Sequence, residues 1–332
     1  MTHPKYSVII PVFNRPDEMK EMLDSLQKQT EKPFEIVLVE DGSTQKSDFL
    51  IGDYDLTIEY FFKPNTGPGD SRNFGMKKAK GDYFLFFDSD CVLPEDYFEK
   101  LEAAIEELQP DAFGGPDAAH PSFSNVQKAI NYAMTSFFTT GGIRGGKKQL
   151  DRYQPRSFNM GLKRVVYEKV GGFSDIHPGE DPDLSFRIMA AGFKVSLIHE
   201  AKVYHKRRID FGKFLKQVYK FGVVRVILNR WYPGSDKMVY FLPSIFLFSL
   251  VGLLILAPLS TGMSLLPIAF FILLIGIDAL RSNSFLVALL AIPASFIQLV
   301  GYGYGFLKSQ FKLNLLGQNE RKAFPSFFFD KK

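Results

Sequence analysis

The sequence predicts an α/β domain built on a mostly parallel sheet, followed by an interfacial helix and a helical transmembrane region. Three observations predict this. Strand-like and helix-like signals alternate over the first hundred residues. The run 83–87 (Tyr, Phe, Leu, Phe, Phe) is unbroken and apolar, as in a strand covered on both faces. Residues 238–307 carry only Asp278 and Arg281 as charges, whereas the preceding two hundred are charged throughout.

Taken in order, residues 7–10 read as a short strand and 11–16 as a loop. Residues 17–29 read as a helix, because Met19, Met22, Leu23 and Leu26 recur at helical spacing and Asp17 and Glu18 favour the positive end of its dipole. Residues 36–39 form the next strand, and Asp41, Gly42, Ser43 and Thr44 turn the chain at its carboxyl end. A third strand at 58–61, a helix at 71–80 and the strand at 83–87 complete a β-α-β order. Pro94 closes that segment. Beyond it the pattern predicts a helix at 97–108, a short strand at 112–114, a Gly-rich basic loop at 139–148, a strand at 153–160, helices at 163–170 and 182–191, and a strand-like run at 201–204.

In 211–230, Phe214, Val218, Phe221 and Leu228 fall on one side of a helical wheel and Lys213, Lys216 and Lys220 on the other. This is the pattern of a helix in a membrane interface, its cations turned towards anionic headgroups. Arg225, on the apolar side, speaks instead for a helix packed on protein. Three apolar stretches follow, at 239–259, 265–280 and 285–307, the second near the short limit for a span. The loop 260–264 is uncharged, as expected on the far side. Three spans would leave the basic tail (Lys308, Lys312, Arg321, Lys322, Lys331 and Lys332 against Glu320 and Asp330) outside, against the positive-inside tendency. Either the tendency fails or one stretch is re-entrant or interfacial. The expected organisation is a catalytic domain at 1–210, an amphipathic interfacial helix and linker at 211–237, two to three transmembrane helices at 238–307 and a basic tail at 308–332.

A net charge of +4 over 332 residues does not call for nucleic acid. The single cysteine, Cys91, excludes an internal disulfide and fits a reducing compartment, and a small buried hydrophobe is the plain reading of it. No signal peptide precedes the first strand, so the soluble part is expected on the cytoplasmic side.

The chemistry is expected at the carboxyl edge of the sheet, where ligands bind in such folds. Asp88 and Asp90, at the end of the strand 83–87, are separated by one residue and in extended backbone point the same way. Both can approach one hard cation, or they can simply sit in a solvated turn. Pro11 to Asn14 follow the first strand and Asp41 the second. Asp41 can cap its turn, or accept the imide N–H of a uracil while Phe13 offers an aromatic face. No G-x-G-x-x-G or P-loop occurs, so a nucleotide diphosphate would need a metal held by aspartates instead.

The ordered segments Ser-Val-Ile-Ile-Pro-Val-Phe-Asn (7–14), Val-Glu-Asp-Gly-Ser-Thr (39–44), Gly-Pro-Gly-Asp-Ser-Arg-Asn (67–73), Phe-Phe-Asp-Ser-Asp (86–90), Val-Gly-Gly-Phe (170–173) and Gly-Glu-Asp-Pro-Asp-Leu (179–184) resemble the family 2 glycosyltransferases of GT-A fold. The resemblance runs from Tyr6 to about His205. Glu40 departs from it, standing where the family often has Asp. It implies a nucleotide-diphosphosugar donor, with a UDP-sugar favoured, a Mn2+ or Mg2+ cofactor and inversion at the anomeric carbon. Pro11, Phe13 and Asp41 would hold the nucleobase, Arg72 the ribose or phosphates, and Asp88 and Asp90 the ribose, metal and diphosphate. Asp181, at a loop-to-helix junction, is the expected catalytic base, with Glu180 as the fallback and Asp183 a structural residue at the helix start. In related enzymes a His near His205 can complete the metal site; a surface histidine beside Lys206, Arg207 and Arg208 is the alternative. Arg144, in the loop 141–148 with Lys147 and Lys148, would contact an acceptor diphosphate, unless that loop is merely solvated.

The expected function is transfer of a sugar to a polyprenyl-diphosphate-linked saccharide at the bacterial inner (cytoplasmic) membrane. The enzyme would be multi-pass, with its catalytic domain cytoplasmic, and would serve surface polysaccharide biosynthesis. One alternative uses the same donor site with polyprenyl phosphate as acceptor; a remoter one is a catalytically silent membrane scaffold that binds nucleotide. The donor sugar, the linkage and the oligomeric state are not encoded in these motifs.

Overall fold

The computed structural model describes residues 4–118, 123–141, 153–206, 210–260 and 262–329. The chain divides into two compact units, the first from Met1–Ala118, Arg152–His205 and Ser326–Lys332, the second from Ala119–Asp151 and Lys206–Pro325.

Among the described residues, the first unit holds a seven-stranded sheet with helices on both faces and a small three-stranded sheet. Its elements are β1 (Tyr6–Val12), α1 (Pro16–Gln27), β2 (Phe34–Asp41), β3 (Ile58–Lys63), α2 (Pro68–Lys78), β4 (Tyr83–Phe87), β5 (Cys91–Val92), α3 (Tyr97–Leu108), β6 (Ala112–Gly114) and β7 (Asp117–Ala118). After a stretch that belongs to the second unit come β8 (Asn159–Lys163), α6 (Arg164–Val170), α7 (Glu180–Ala190), β9 (Val195–Leu197) and β10 (Val203–His205). The small sheet has the order β5-β10-β7 and the larger one β3-β2-β1-β4-β8-β6-β9. β3, β2, β1 and β4 are mutually parallel, as are β6 and β9, and β8 alone runs antiparallel to its neighbours.

Both faces are buried, which is why the central strands lack polar alternation. Tyr6, Val8 and Ile10 pack with Met19, Met22 and Leu26 of α1 and Phe98 and Leu101 of α3. Ile9, Phe84 and Phe86, pointing the other way, pack with Met76 of α2 and Leu184 and Ile188 of α7. The strand expected at 153–160 lies instead at Asn159–Lys163. Asn159 and Gly161 disguise it. Asn159 is kept in the strand because its side chain accepts from Tyr97 Oη at 2.7 Å and donates to the Ala201 carbonyl at 2.7 Å. A Cβ at Gly161 would stand 2.1 Å from the Phe113 ring, so no larger residue fits.

The second unit is helical: α4 (Asn125–Thr135), α5 (Phe137–Thr140), α8 (Phe211–Trp231), α9 (Leu242–Leu256), α10 (Leu266–Leu280), α11 (Phe285–Ser309) and α12 (Glu320–Ala323). Among the described residues, three helical segments are long and apolar enough to cross a membrane: Met238–Leu256, Met263–Leu280 and Phe285–Leu315. The segment 211–237, expected as an amphipathic interfacial helix, does form α8, but its apolar side is covered by protein. Phe214 and Val218 are fully buried in a cluster with Ala291 and Ala294 of α11. Glycines set the approach, since a Cβ at Gly222 would lie 2.1 Å from the Tyr302 carbonyl oxygen and one at Gly305 2.2 Å from that of Tyr219. Arg225, anomalous on the wheel, is buried with its guanidinium 4.2 Å from the Tyr240 ring centroid.

After α12 the chain rejoins the first unit. Phe327 accepts a hydrogen bond from His177 N at 2.7 Å, and Phe329 N donates to the Asp175 carbonyl at 3.0 Å, so that Phe328 bridges Ile176 antiparallel.

Candidate active site

The carboxyl ends of β1, β2 and β4 bring the sequence motifs to one edge of the sheet, and buried polar contacts tie them to each other. The loops after β1 and β2 are joined by Asn14, whose backbone is left-handed (φ 52°). Its N–H donates to Ser43 Oγ at 2.8 Å, and its Oδ1 accepts from Thr44 N at 2.8 Å and Gln45 N at 3.0 Å. Glu40, the departure from the family pattern, is fully buried and accepts from Ser43 Oγ and from Ser47 N, the latter at 2.8 Å, so it orders the turn from below. Asp41 accepts from Lys63 Nζ at 2.6 Å and from the amides of Thr66 and Gly67, each at 3.0 Å. Its carboxylate therefore fastens β3 and the start of α2 to β2. Pro11 is half-buried at the end of β1, and Phe13 presents 49% of its surface beside it.

Arg72, on α2, is the hub. It is 2% exposed, with Nη2 2.6 Å from Asp88 Oδ1 and Nη1 3.2 Å from Glu180 Oε1, and its guanidinium lies 5.3 Å from the Phe173 ring. One buried cation thus joins the Asp-Ser-Asp segment after β4 to the acidic start of α7. Burial on its own would lower the Arg72 pKa, but the charges of Asp88 and Glu180 outweigh it and raise it. The next residue, Asn73, clasps Phe173: its Nδ2 donates to the Phe173 carbonyl at 2.8 Å and its Oδ1 accepts from Phe173 N at 2.7 Å. A Cβ at Gly172 would stand 2.0 Å from that Oδ1, which explains the glycine in the Val-Gly-Gly-Phe motif.

Asp90 is 8% exposed. Its Oδ2 meets Arg15 Nη1 at 2.5 Å, and its Oδ1 lies 3.2 Å from His205 Nε2. His205 arrives by sheet pairing, for β10 runs antiparallel to β5 and sets His205 opposite Cys91. Its ring stacks on Phe158 with centroids 4.8 Å apart, and the same Nε2 is 4.0 Å from Asp88 Oδ2. Burial would raise the Asp90 pKa, yet His205 and Arg15 hold it well below the usual carboxylate range. Asp90, Cys91 and His205 offer ligand atoms within 4.8 Å of one another. The donor set fits a divalent cation: the buried Asp90 Oδ1 takes no hydrogen bond, and carboxylate and imidazole donors lie beside it. Burial, with Asp90 and Asp88 adding to it, pushes the Cys91 thiol up, and Cys91 Sγ lies 3.5 Å from the Phe158 carbonyl.

At the start of α7 two adjacent carboxylates have different surroundings. Glu180 is held by Arg72 and by His177 Nδ1 at 3.0 Å. Burial would raise its pKa, but His177 and then Arg72 bring it down to about 2. Asp181 pairs more loosely, with Arg156 Nη1 at 3.8 Å, and burial, aided by Glu180 and Asp88, outweighs the pull of Arg156 and Arg72 and raises its pKa. Of the two, Asp181 holds a proton the more readily. Asp183 pairs with Arg187 on the same helix at 2.8 Å. Sequence reading missed Arg15, Lys63 and Arg156. Arg15, one residue beyond the Pro-Val-Phe-Asn motif, carried a usable signal; the other two reach the edge only through the fold. Arg144, with Lys147 and Lys148, lies outside the described residues.

Residues 7–171 match the family described as glycosyl transferase family 2. Among curated proteins, the chain is 29% identical over 245 residues to the glycosyltransferase GlyA of Streptococcus pneumoniae serotype 4, which covers 73% of this chain and 30% of that protein. It is 36% identical over 137 residues to an uncharacterized glycosyltransferase of Rickettsia felis, covering 41% of this chain and 22% of that one. The chain thus spans about a third or less of the length of these relatives. Among solved structures, the mannosyltransferase PcManGT of Pyrobaculum calidifontis, in complex with GDP-Man and Mn2+, superposes with a TM-score of 0.57 at 15% identity, over 94% of this chain and 88% of that one. That likeness gives the fold, a GT-A-like domain followed by helices. Over residues 7–171, close to half its length, the chain carries a domain matching glycosyl transferase family 2.

Proposed function

We propose that the protein is an inverting, metal-dependent glycosyltransferase. It would move a sugar from a nucleotide-diphosphosugar to a polyprenyl-diphosphate-linked saccharide at the cytoplasmic face of a bacterial inner membrane, in surface polysaccharide assembly. The observation that carries this reading is Arg72, which bridges Asp88 and Glu180 and so puts the donor-side carboxylates and Asp181 on one buried scaffold. Phe13, exposed just after β1, would offer a face for the nucleobase beside Pro11, with Asp41 at the end of the neighbouring strand β2. Asp88, Asp90 and His205 are the residues that would hold Mn2+ or Mg2+, which when bound offsets negative charge on the departing nucleoside diphosphate. The likeness in fold to a mannosyltransferase solved with GDP-Man and Mn2+ supports such a donor and ion. Asp181, with its pKa raised, takes the proton of the acceptor hydroxyl as the oxygen attacks the anomeric carbon. Attack opposite the leaving group in a single displacement inverts that carbon. Three helices apolar enough to cross a membrane suit an acceptor carried on a lipid.

The test is a panel of nucleotide sugars, UDP-sugars first and GDP-mannose included, screened with and without Mn2+ for thermal stabilisation. Release of nucleoside diphosphate on adding a lipid-linked saccharide follows. One donor should both stabilise the protein and turn over. If none does either, the reading is wrong; if Asp181→Asn keeps full transfer, the acceptor is polyprenyl phosphate, which needs no base.

A further inference from the structure

We infer that the membrane segment is a two-crossing hairpin of α9 and α10, with α11 lying at the membrane surface on the side that holds the first unit. This goes beyond the transfer reaction and is read out without turnover, so either can fail while the other stands.

The first observation is one of parity. Residues 4–118 and 153–205 build the first unit, and 327–329 are hydrogen-bonded into the same unit through His177 and Asp175. A folded unit lies on one side of a bilayer. The chain that leaves it after His205 and returns by Ser326 has therefore crossed an even number of times. Three apolar helices cannot each cross once.

The second observation selects which two cross. α9 and α10 are covered by protein over only about a tenth of their length, 11% of each segment being buried. They turn large apolar side chains outward, among them Phe248 (65% exposed), Ile255 (67%) and Phe270 (67%). At 19 and 18 residues the segments Met238–Leu256 and Met263–Leu280 are about 28 and 27 Å long, close to a hydrocarbon core of about 30 Å. Their charged flanks lie at one end, with Lys237 before α9 and Asp278 and Arg281 at the end of α10, while the turn 257–262 carries no charge.

α11 has different surroundings. Its first half packs on α4, where Ala129, Ile130 and Ala133 meet Ala288 and Ala291 in one cluster, and α4 also carries Gln127, Lys128 and Asn131. Its second half is lined by α8, running alongside in the same direction. Gly301 faces Val218, Gly305 faces Tyr219, Ser309 Oγ donates to the Val223 carbonyl at 3.2 Å, and Arg230 Nη1 donates to the Leu313 carbonyl at 3.2 Å. Were α11 to cross, α8 would be drawn through the bilayer beside it with Lys213, Lys216, Lys220, Arg225 and Arg230. Charges at that depth are costly, and two of these, Lys213 and Lys216, are exposed on the helix surface. The outward apolar side chains of α11, such as Phe285 and Leu289, suit a helix lying on lipid instead.

The test is cysteine accessibility to a membrane-impermeant maleimide, in intact cells and after lysis. Wild type is the background, because its only cysteine, Cys91, is buried. Lys32→Cys marks the first unit, Leu259→Cys the hairpin turn, Ser282→Cys the α10–α11 connection and Gln318→Cys the segment after α11. Leu259→Cys should label in intact cells, and the other three only after lysis. Labelling of Gln318→Cys in intact cells while Lys32→Cys stays protected would mean three crossings and overturn the inference. So would a Leu259→Cys that labels only after lysis or not at all, since the hairpin then does not cross. Should a cysteine variant fail to accumulate, fusion of a fluorescent protein or alkaline phosphatase after residue 329 of the wild-type chain decides the same point. Fluorescence is expected, and phosphatase activity overturns it.

Discussion

Replacing Arg72 by Ala tests whether one buried cation really holds the two acidic segments together. Arg72 is 2% exposed and Glu180 3%, and they meet at 3.2 Å, with Asp88 2.6 Å from the other guanidinium nitrogen. Truncation removes a cation from the buried Glu180 and leaves its charge to His177. Removing one partner of such a buried pair costs about 3–5 kcal/mol, because the remaining charge stays desolvated. In a domain of this size each kcal/mol moves Tm by roughly 2–4 °C, so the melting temperature should fall by about 6–20 °C. The sign with pH follows from Glu180. Its folded pKa of about 2 lies below the ordinary 4.5, so it contributes stability at neutral pH that is lost as pH falls from 4.5 towards 2. Arg72→Ala should shrink that acid-sensitive part. The assay is thermal unfolding of the full chain in detergent, for Arg72→Ala, Glu180→Gln and the double variant. The double variant should be more stable than Arg72→Ala alone, since the uncompensated charge is gone. Two results would refute the reasoning: a Tm for Arg72→Ala within about 1 °C of wild type, or penalties that simply add.

Asp181→Asn should lower kcat by about 10²–10⁴-fold while thermal stabilisation by the donor is retained. Because the base works ionised and its pKa is raised above the ordinary aspartate value, wild-type turnover should fall as pH drops through that raised value, and the variant should lose this limb; a pH–rate profile of both shows it. Asp90→Ala should abolish both metal-dependent turnover and stabilisation by Mn2+, whereas retained Mn2+ stabilisation would place the ion elsewhere. Gly305→Leu should cost about 1–3 kcal/mol, since its Cβ would come 2.2 Å from the Tyr219 carbonyl oxygen and force α8 from α11; an unchanged Tm would contradict that packing.

Much of the fold was legible because its signals are local. The run 83–87 is a strand with the bounds expected, and Met19, Met22, Leu23 and Leu26 face the core of α1 as their spacing predicts. The strand at Asn159–Lys163 was displaced in the reading because its polar Asn159 and its Gly161 are chosen by Tyr97, Ala201 and Phe113, residues distant in sequence. In the candidate site the acidic residues and Arg72 announced themselves by motif, but the other cations did not. Arg15 follows a motif directly and could have been noted, but Lys63 and Arg156 stand in no pattern that marks a partner, and each finds its carboxylate only in the folded chain. The side of α8 turned by the wheel towards lipid is taken by α11 for the same reason: amphipathicity shows that a face is buried, not what buries it.

The pairing of Phe327–Phe329 with Asp175–His177 also bears on how the protein is made. These residues are synthesised after α9, α10 and α11, yet they clamp the segment shortly before Glu180 and Asp181, and the Phe329 ring fills the space beside Gly67 at the head of α2. A ribosome that stalls within α9, α10 or α11 leaves a first unit with that edge bare. Completion of the first unit is thereby tied to synthesis of the three apolar helices, and a chain stopped within them lacks the Phe327–Phe329 clamp.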